Sequence, residues 1–155
     1  MEEGHDDQIR TGDRTCNCRN TNDCPLQGNC LVKSLVYQAT VEAQGKDPRT
    51  YVGLTALTFK ERYNGHKYDL RNQKSSGTGL SQHAWELKNN SVPHTIKWKV
   101  LEKVDSYKPG SGQCNLCLAE KYHILKADPM ETLNKKSELV AKCRHAHKFT
   151  LEAVT

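Results

Sequence analysis

Four of the seven cysteines crowd into one short stretch, Cys16-x-Cys18, then Cys24 and Cys30, which also holds Pro25 and Gly28 and has almost nothing apolar to bury. Thiolates at this spacing suit a zinc ion. Four of them around one tetrahedral ion supply the folding free energy that a segment without a core lacks. A second group is Cys114-x-x-Cys117, followed by Cys143-Arg144-His145-Ala146-His147. Its Cys-x-x-Cys suits a turn that grips a metal from two sides. Cys143 with His145 would complete a Cys₃His zinc site, with His147 as the alternative fourth ligand. Buried or free cysteine without metal is the rival account of each cluster. It is the stronger rival at the second, because Cys117 stands where a helix is expected to start and could be plain core. A secreted disulfide framework would prefer an even cysteine count and a signal peptide. Residues Met1 to Arg14 are acidic, then polar, with no apolar stretch of that kind.

The ligands need a scaffold, and 155 residues bury one core, so one domain with a small appendage is the natural count. Hydrophobic content of 35% and a mean hydropathy of −0.80 describe a modest core, and no apolar run is long enough to span a membrane. A net charge of +5 mildly favours a polyanionic partner. Along the chain, residues 1–14 read as a disordered tail, 15–31 as the cysteine module and 32–150 as the main domain.

Lys33 to Val41 and Arg49 to Leu54 read as strands, joined by a turn at Gly45 and Asp47-Pro48. Thr58 with Glu61 makes a capping box that opens a helix, with Phe59, Tyr63 and Leu70 as a broken apolar stripe. On that helix Arg62 and His66 share a face. Leu80, Ala84 and Leu87 mark a second helix, Thr95 to Val104 a third strand, Cys117 to Ala127 a third helix and Lys136 to Lys142 a short fourth. The expected fold is α+β: a small three-stranded antiparallel sheet flanked by helices, with an N-terminal cysteine-rich zinc module.

Within this layout five signals follow in order: Leu35-Val36-Tyr37, Tyr51-Val52-Gly53, Arg62 with His66, Glu120, and Leu133-Asn134. Together, over roughly residues 33–142, they resemble the GIY-YIG nuclease family. The departure is Leu35, which stands where the family's first motif usually has glycine. The cysteine patterns Cys16-Asn17-Cys18-Arg19-Asn20, Cys24-Pro25-Leu26, Cys114-Asn115-Leu116-Cys117 and Lys142-Cys143-Arg144-His145 look like the endonuclease domains of Penelope-like retroelements. The resemblance implies a three-stranded sheet flanked by helices and a Mg²⁺- or Mn²⁺-dependent DNA endonuclease that nicks one strand to prime reverse transcription. It also implies a reverse transcriptase domain in the parent element and a nuclear location. The chain would be an excised domain or a free-standing relative. A monomer is expected, since no dimerisation signal is visible.

Phosphodiester hydrolysis needs an activated water, a partner for the phosphate and help for the departing oxygen. Glu120 is the implied metal ligand, one carboxylate plus waters suiting Mg²⁺. Arg62 would clamp a non-bridging oxygen with its planar fork. Tyr37 is the implied general base, which requires positive charge near a hydroxyl whose reference pKa is near ~10. Tyr51 would bond the attacking water, His66 relay a proton or hold the phosphate, and Asn134 orient local backbone or Glu120. Taken singly, each has a bland rival: packing tyrosines, a solvated Arg/His helix face, a surface glutamate, a turn asparagine. All of these must hold at once to dismiss the pattern. Lys60, Lys67, Arg71 and Lys74 could track a DNA backbone. The alternative function is a non-catalytic, zinc-stabilised nucleic-acid-binding module on the nuclease scaffold.

Overall fold

The computed structural model describes residues 15–73, 77–105 and 114–139. Its centre is strand β1, Lys33–Ala43, flanked by β2, Arg49–Thr58, and β3, His94–Lys103, in the order β2-β1-β3. Both pairings are antiparallel. Helices α1, Phe59–Arg71, and α2, Gly79–Asn89, follow β2, and α3, Asn115–Lys126, follows β3. The fold is α+β, a three-stranded antiparallel sheet with three helices and a four-cysteine cluster at the N-terminal side. Among the described residues no helix is long and apolar enough to cross a membrane.

Apolar residues on both faces of β1 make it the centre of two layers. Leu35, Tyr37, Ala39 and Val41 face one way, with Tyr51, Trp98, Phe59 of α1 and Leu80 and Leu87 of α2. Cys24, Leu26 and Cys30 belong to this same cluster, so the cysteine segment packs into the main core. On the opposite face Val36 and Val52 meet Cys114, Leu116, Cys117 and Ile124 at α3.

The helix starts are set by local chemistry. The Thr58 hydroxyl accepts from the Glu61 N–H at 3.2 Å, the N-cap half of the expected capping box. It also donates to the Glu61 carboxylate at 3.2 Å, so the glutamate bonds the hydroxyl where the box would have it bond the Thr58 backbone N–H. Thr78 caps α2 through the Ser81 N–H. β2 runs four residues beyond the expected Leu54, straight into α1, because β1 keeps pairing to it as far as Lys33 and Thr58. A register shift at Ser34, whose φ is 55°, accommodates that extension. α3 begins at Asn115 rather than Cys117, since the Cys114 sulfur caps it by accepting from the Cys117 N–H at 3.5 Å. The short fourth helix is a single 3₁₀ turn, Lys136–Leu139, within the described residues. The tail at 1–14 and the stretch beyond residue 139 lie outside them.

Candidate active site and metal centre

The hairpin register puts both tyrosines on one face. Tyr37 pairs with Gly53 and Ala39 with Tyr51, and paired residues point to the same side of a sheet. Gly53 is required by contact: a Cβ there would overlap the Tyr37 hydroxyl and lie 2.6 Å from Cζ. The tyrosine ring therefore crosses the bare backbone of β2 to reach α1, where its Oη lies 2.6 Å from His66 Nε2.

Both partners of that bond are fully enclosed. Burial pushes the Tyr37 hydroxyl up to about 12, against the pull of the neighbouring Arg62 cation. Desolvation outweighs the guanidinium, so Arg62 by itself does not bring the hydroxyl below its ordinary value. Burial, then Arg62, drives His66 down to about 3. The imidazole is thus neutral; because Arg62 already donates to the Tyr37 oxygen, we assign the phenolic O–H as donor to Nε2 and the imidazole proton to Nδ1. That buried Nδ1 has no hydrogen-bond partner among the described residues. In this structure the hydrogen bond that the His66 side chain makes is with the Tyr37 hydroxyl. Trp98 of β3 lies tilted against the imidazole at 5.4 Å between centroids, and Tyr51 meets it edge-on at 6.0 Å. Tyr51 is itself raised, by burial first and then by Tyr37. Burial opposes the charge on Arg62, but the two tyrosine oxygens outweigh it and hold the guanidinium cationic.

Glu120, one turn into α3 in the other layer, is linked to this group through charge: it raises Tyr37 and Tyr51, and Arg62 lowers it. Burial raises its carboxyl to about 7; the Lys121 cation lowers it and Glu138 raises it further. Glu138 is a neighbour that sequence reasoning missed. It bears on Glu120, Tyr37 and Tyr51 alike, and its carboxylate accepts from Asn134 Nδ2 at 2.9 Å and from the Lys135 N–H at 2.8 Å. The Asn134–Glu138 spacing of one helical turn was the available signal. Lys121, nearly buried, donates to the Glu138 carbonyl at 3.3 Å.

Asn134 acts on backbone, and its carboxylate partner is Glu138 where Glu120 was the expected one. Its carboxamide accepts from the Val52 N–H and donates to the Val52 carbonyl, both at 2.8 Å. Just upstream, Thr50 donates to the Glu131 carbonyl at 2.8 Å and accepts from the Leu133 N–H at 2.6 Å. The side-chain amide therefore continues, by one step, a short parallel pairing that covers the free edge of β2.

At the cysteine cluster the four sulfurs of Cys16, Cys18, Cys24 and Cys30 lie within 4.8 Å of one another. Four thiolates each ~2.3 Å from a tetrahedral ion would stand about 3.8 Å apart. Cys18 and Cys30 are 3.7 Å apart, so the set fits a structural zinc ion. Burial raises the Cys24 thiol, but the Leu26 and Gly28 backbone N–H groups outweigh it and bring it to about 6. Burial and the other three sulfurs push Cys30 up to about 12, against the pull of the Asn17 backbone. A dication is what would allow all four to be thiolates together. Lys60 turns toward this cluster, donating to Asn17 Oδ1 at 2.5 Å with Cys18 Sγ at 3.9 Å. The Cys30 carbonyl accepts the Lys60 N–H at 2.8 Å, which fastens the cluster to the first turn of α1, two residues from Arg62. Of the second proposed zinc set, Cys114 and Cys117 sit buried at the start of α3; Cys143, His145 and His147 lie outside the described residues.

Comparison of the chain with protein-family models, with curated proteins and with solved structures finds no match.

Proposed function

We propose that this chain is a metal-dependent DNA endonuclease of the GIY-YIG type, nearest in its cysteine pattern to the endonucleases of Penelope-like retroelements. The observation that carries the reading is convergence. Tyr37, Tyr51, Arg62, His66 and Glu120 come from two strands and two helices, on both faces of the sheet, to one electrostatically connected group.

Glu120 fits a hard divalent cation: its half-buried carboxyl, beside a second carboxylate at Glu138, is destabilised as an anion until a cation joins it. When bound there, Mg²⁺ or Mn²⁺ supplies Lewis-acid stabilisation of charge on the phosphoryl and departing oxygens. Arg62, kept cationic, clamps a non-bridging phosphate oxygen. Water attacks phosphorus and the bond to the 3′ oxygen breaks, that oxygen taking a proton from solvent, which leaves a 3′-hydroxyl and a 5′-phosphate. Tyr37 Oη takes the water's proton while its own passes to His66 Nε2 along their hydrogen bond, and Tyr51 holds the water. At rest both groups are neutral, so the base stays masked until charged ligands enter. Asn134 and Gly53 act by position, one fixing β2 and the other admitting the Tyr37 ring. Zinc at Cys16, Cys18, Cys24 and Cys30 holds the start of α1.

One active site cuts one strand, so a nick is the expected product, from a monomer, priming a reverse transcriptase of the parent element in the nucleus. The test is supercoiled-plasmid cleavage in Mg²⁺ or Mn²⁺ by wild type, Arg62→Ala and Glu120→Ala. Nicking lost in both variants at unchanged zinc content supports the nuclease. No cleavage by folded, zinc-loaded wild type that still binds DNA replaces it with a non-catalytic binding module.

A further inference from the structure

Among the described residues several concave features beyond the group around Glu120 carry basic residues; one of about 300 Å³ sets Lys126 beside Asp128 and Glu131, so its charge is mixed. Two others each hold more than one cationic side chain. The larger, about 720 Å³, brings Lys46 and Arg49 together with Asp47 and Glu86, so its walls have no consistent sign. The smaller, about 260 Å³, lies where α1, α2 and β3 meet, and among the described residues no carboxylate lines it. Its floor is Trp98, Ile96 and Tyr63; its rim is Lys67, Lys88 and His94. Residues 63 and 67 share one face of α1, and residues 94, 96 and 98 one face of β3.

The rings are arranged to receive another flat ring. Tyr63 is backed on one side by Phe59, stacked at 5.8 Å and 20°, and is met edge-on by Trp98 at 5.5 Å and 88°. Its outward face is covered by Lys67, whose Nζ lies 5.3 Å from the ring centroid. A cation over an aromatic face holds the position that a stacked base would take. Displaced from the ring, the exposed Lys67 ammonium remains within reach of a phosphate on either side of that base. Lys88, also exposed, supplies a second cation across the groove.

We infer that this groove binds one unpaired nucleobase of a DNA strand, stacked on Tyr63 against Trp98, with Lys67 and Lys88 on the flanking phosphates. The volume admits a single base and not the edge of a duplex, being at the lower limit of ligand pockets at ~300 Å³. The inference rests on the proposed role in DNA cleavage only in taking DNA as the partner. Trp98 separates the groove from His66 and Tyr37, so the strand is gripped behind the cleavage group.

The test uses the full chain and a labelled single-stranded thymine oligonucleotide. The same strand with abasic positions and a duplex of equal length serve as comparisons. Binding is read by anisotropy and by quenching of tryptophan fluorescence. Normal single strand is expected to bind about tenfold more tightly than abasic strand, which keeps every phosphate and loses the stack. Lys67→Ala with Lys88→Gln, the glutamine keeping a donor for the Leu70 carbonyl that Lys88 Nζ bonds at 3.1 Å, is expected to lower the log–log salt slope by about 1.4. Ile96→Asp, placing a carboxylate in the floor, is expected to abolish the quenching. Equal affinity for normal and abasic strands, equal affinity for duplex, or unchanged binding by folded variants of both kinds overturns the groove. Plasmid nicking measured in parallel separates the two readings. Nicking that persists while the groove assays fail leaves the nuclease standing. Strand binding by the groove without any nicking overturns the nuclease and leaves the groove.

Discussion

Replacing Glu120 by glutamine should stabilise the metal-free protein at alkaline pH. Glutamine keeps the size and helix propensity of glutamate, so the change isolates the charge. The Glu120 carboxyl is raised from 4.5 to about 7, by burial first and then Glu138, with Lys121 and Arg62 opposing. The folded protein therefore favours the protonated form. Below the unfolded value there is no penalty. The penalty grows as pH rises toward about 7 and is fully present above it, the sign expected of an acid raised on folding. At about 1.4 kcal/mol per pH unit that displacement corresponds to roughly 3 kcal/mol, and solvent screening at the partly exposed rim reduces it to about 2 kcal/mol. Urea unfolding at pH 4 and pH 8.5, with zinc retained and no Mg²⁺, reads this directly. Wild type should lose stability relative to Glu120→Gln between the two, by about 2 kcal/mol. Added Mg²⁺ should restore wild type, by about 2.7 kcal/mol at a hundred times its dissociation constant, and leave the variant unmoved. A variant less stable than wild type at pH 8.5 without Mg²⁺, or one that Mg²⁺ stabilises equally, would refute the assignment of Glu120 as a cation-seeking group.

Four further outcomes follow from the packing. Gly53→Ala drives a methyl group into the Tyr37 ring; it should cost about 1–3 kcal/mol in thermal unfolding and abolish nicking even where folded protein remains. Asn134→Ala strands the Val52 N–H and carbonyl, for about 1–3 kcal/mol, whereas a neutral result would mean that β2 needs no cover there. The His66 ring should show no titration by NMR between pH 5 and 9, since its value is about 3 and Tyr37 fills Nε2; a midpoint near 6.5 would place it in solvent. Cys30→Ser should lower both zinc content and the thermal unfolding midpoint, because its sulfur is at once fully buried in the core and one of the four clustered ligands.

Much of the fold was legible because its signals are local. Thr58 and Glu61 announce α1, alternation at Ile96, Trp98 and Val100 marks β3, and the hairpin turn is set by Gly45, whose φ is +75°. Boundaries that depend on partners were not legible. Nothing local says that Cys114 caps α3 three residues before its second cysteine, or that β2 continues to Thr58 because Lys33 pairs with it. The candidate site divides the same way. Tyr37, Tyr51, Arg62, His66 and Glu120 are visible as residue types at suggestive spacings. Glu138, Lys121 and Trp98 are not, since each matters through what it touches.

The sequence by itself determined the inventory: strands that alternate, helices with caps, four thiols too close together to be accidental, and a tyrosine followed later by a bare glycine. Tertiary structure decided what those groups are. Burial settles that the Tyr37 hydroxyl is held up at about 12 and the His66 imidazole down at about 3, despite the cation beside them. Packing settles that Gly53 exists to let a ring pass, and that the cysteine segment shares the core it was expected only to adjoin. The physical reason is common to all of these. Propensity, capping and ligand spacing act over a few residues, whereas desolvation, charge coupling and steric contact depend on neighbours that only the folded chain brings together.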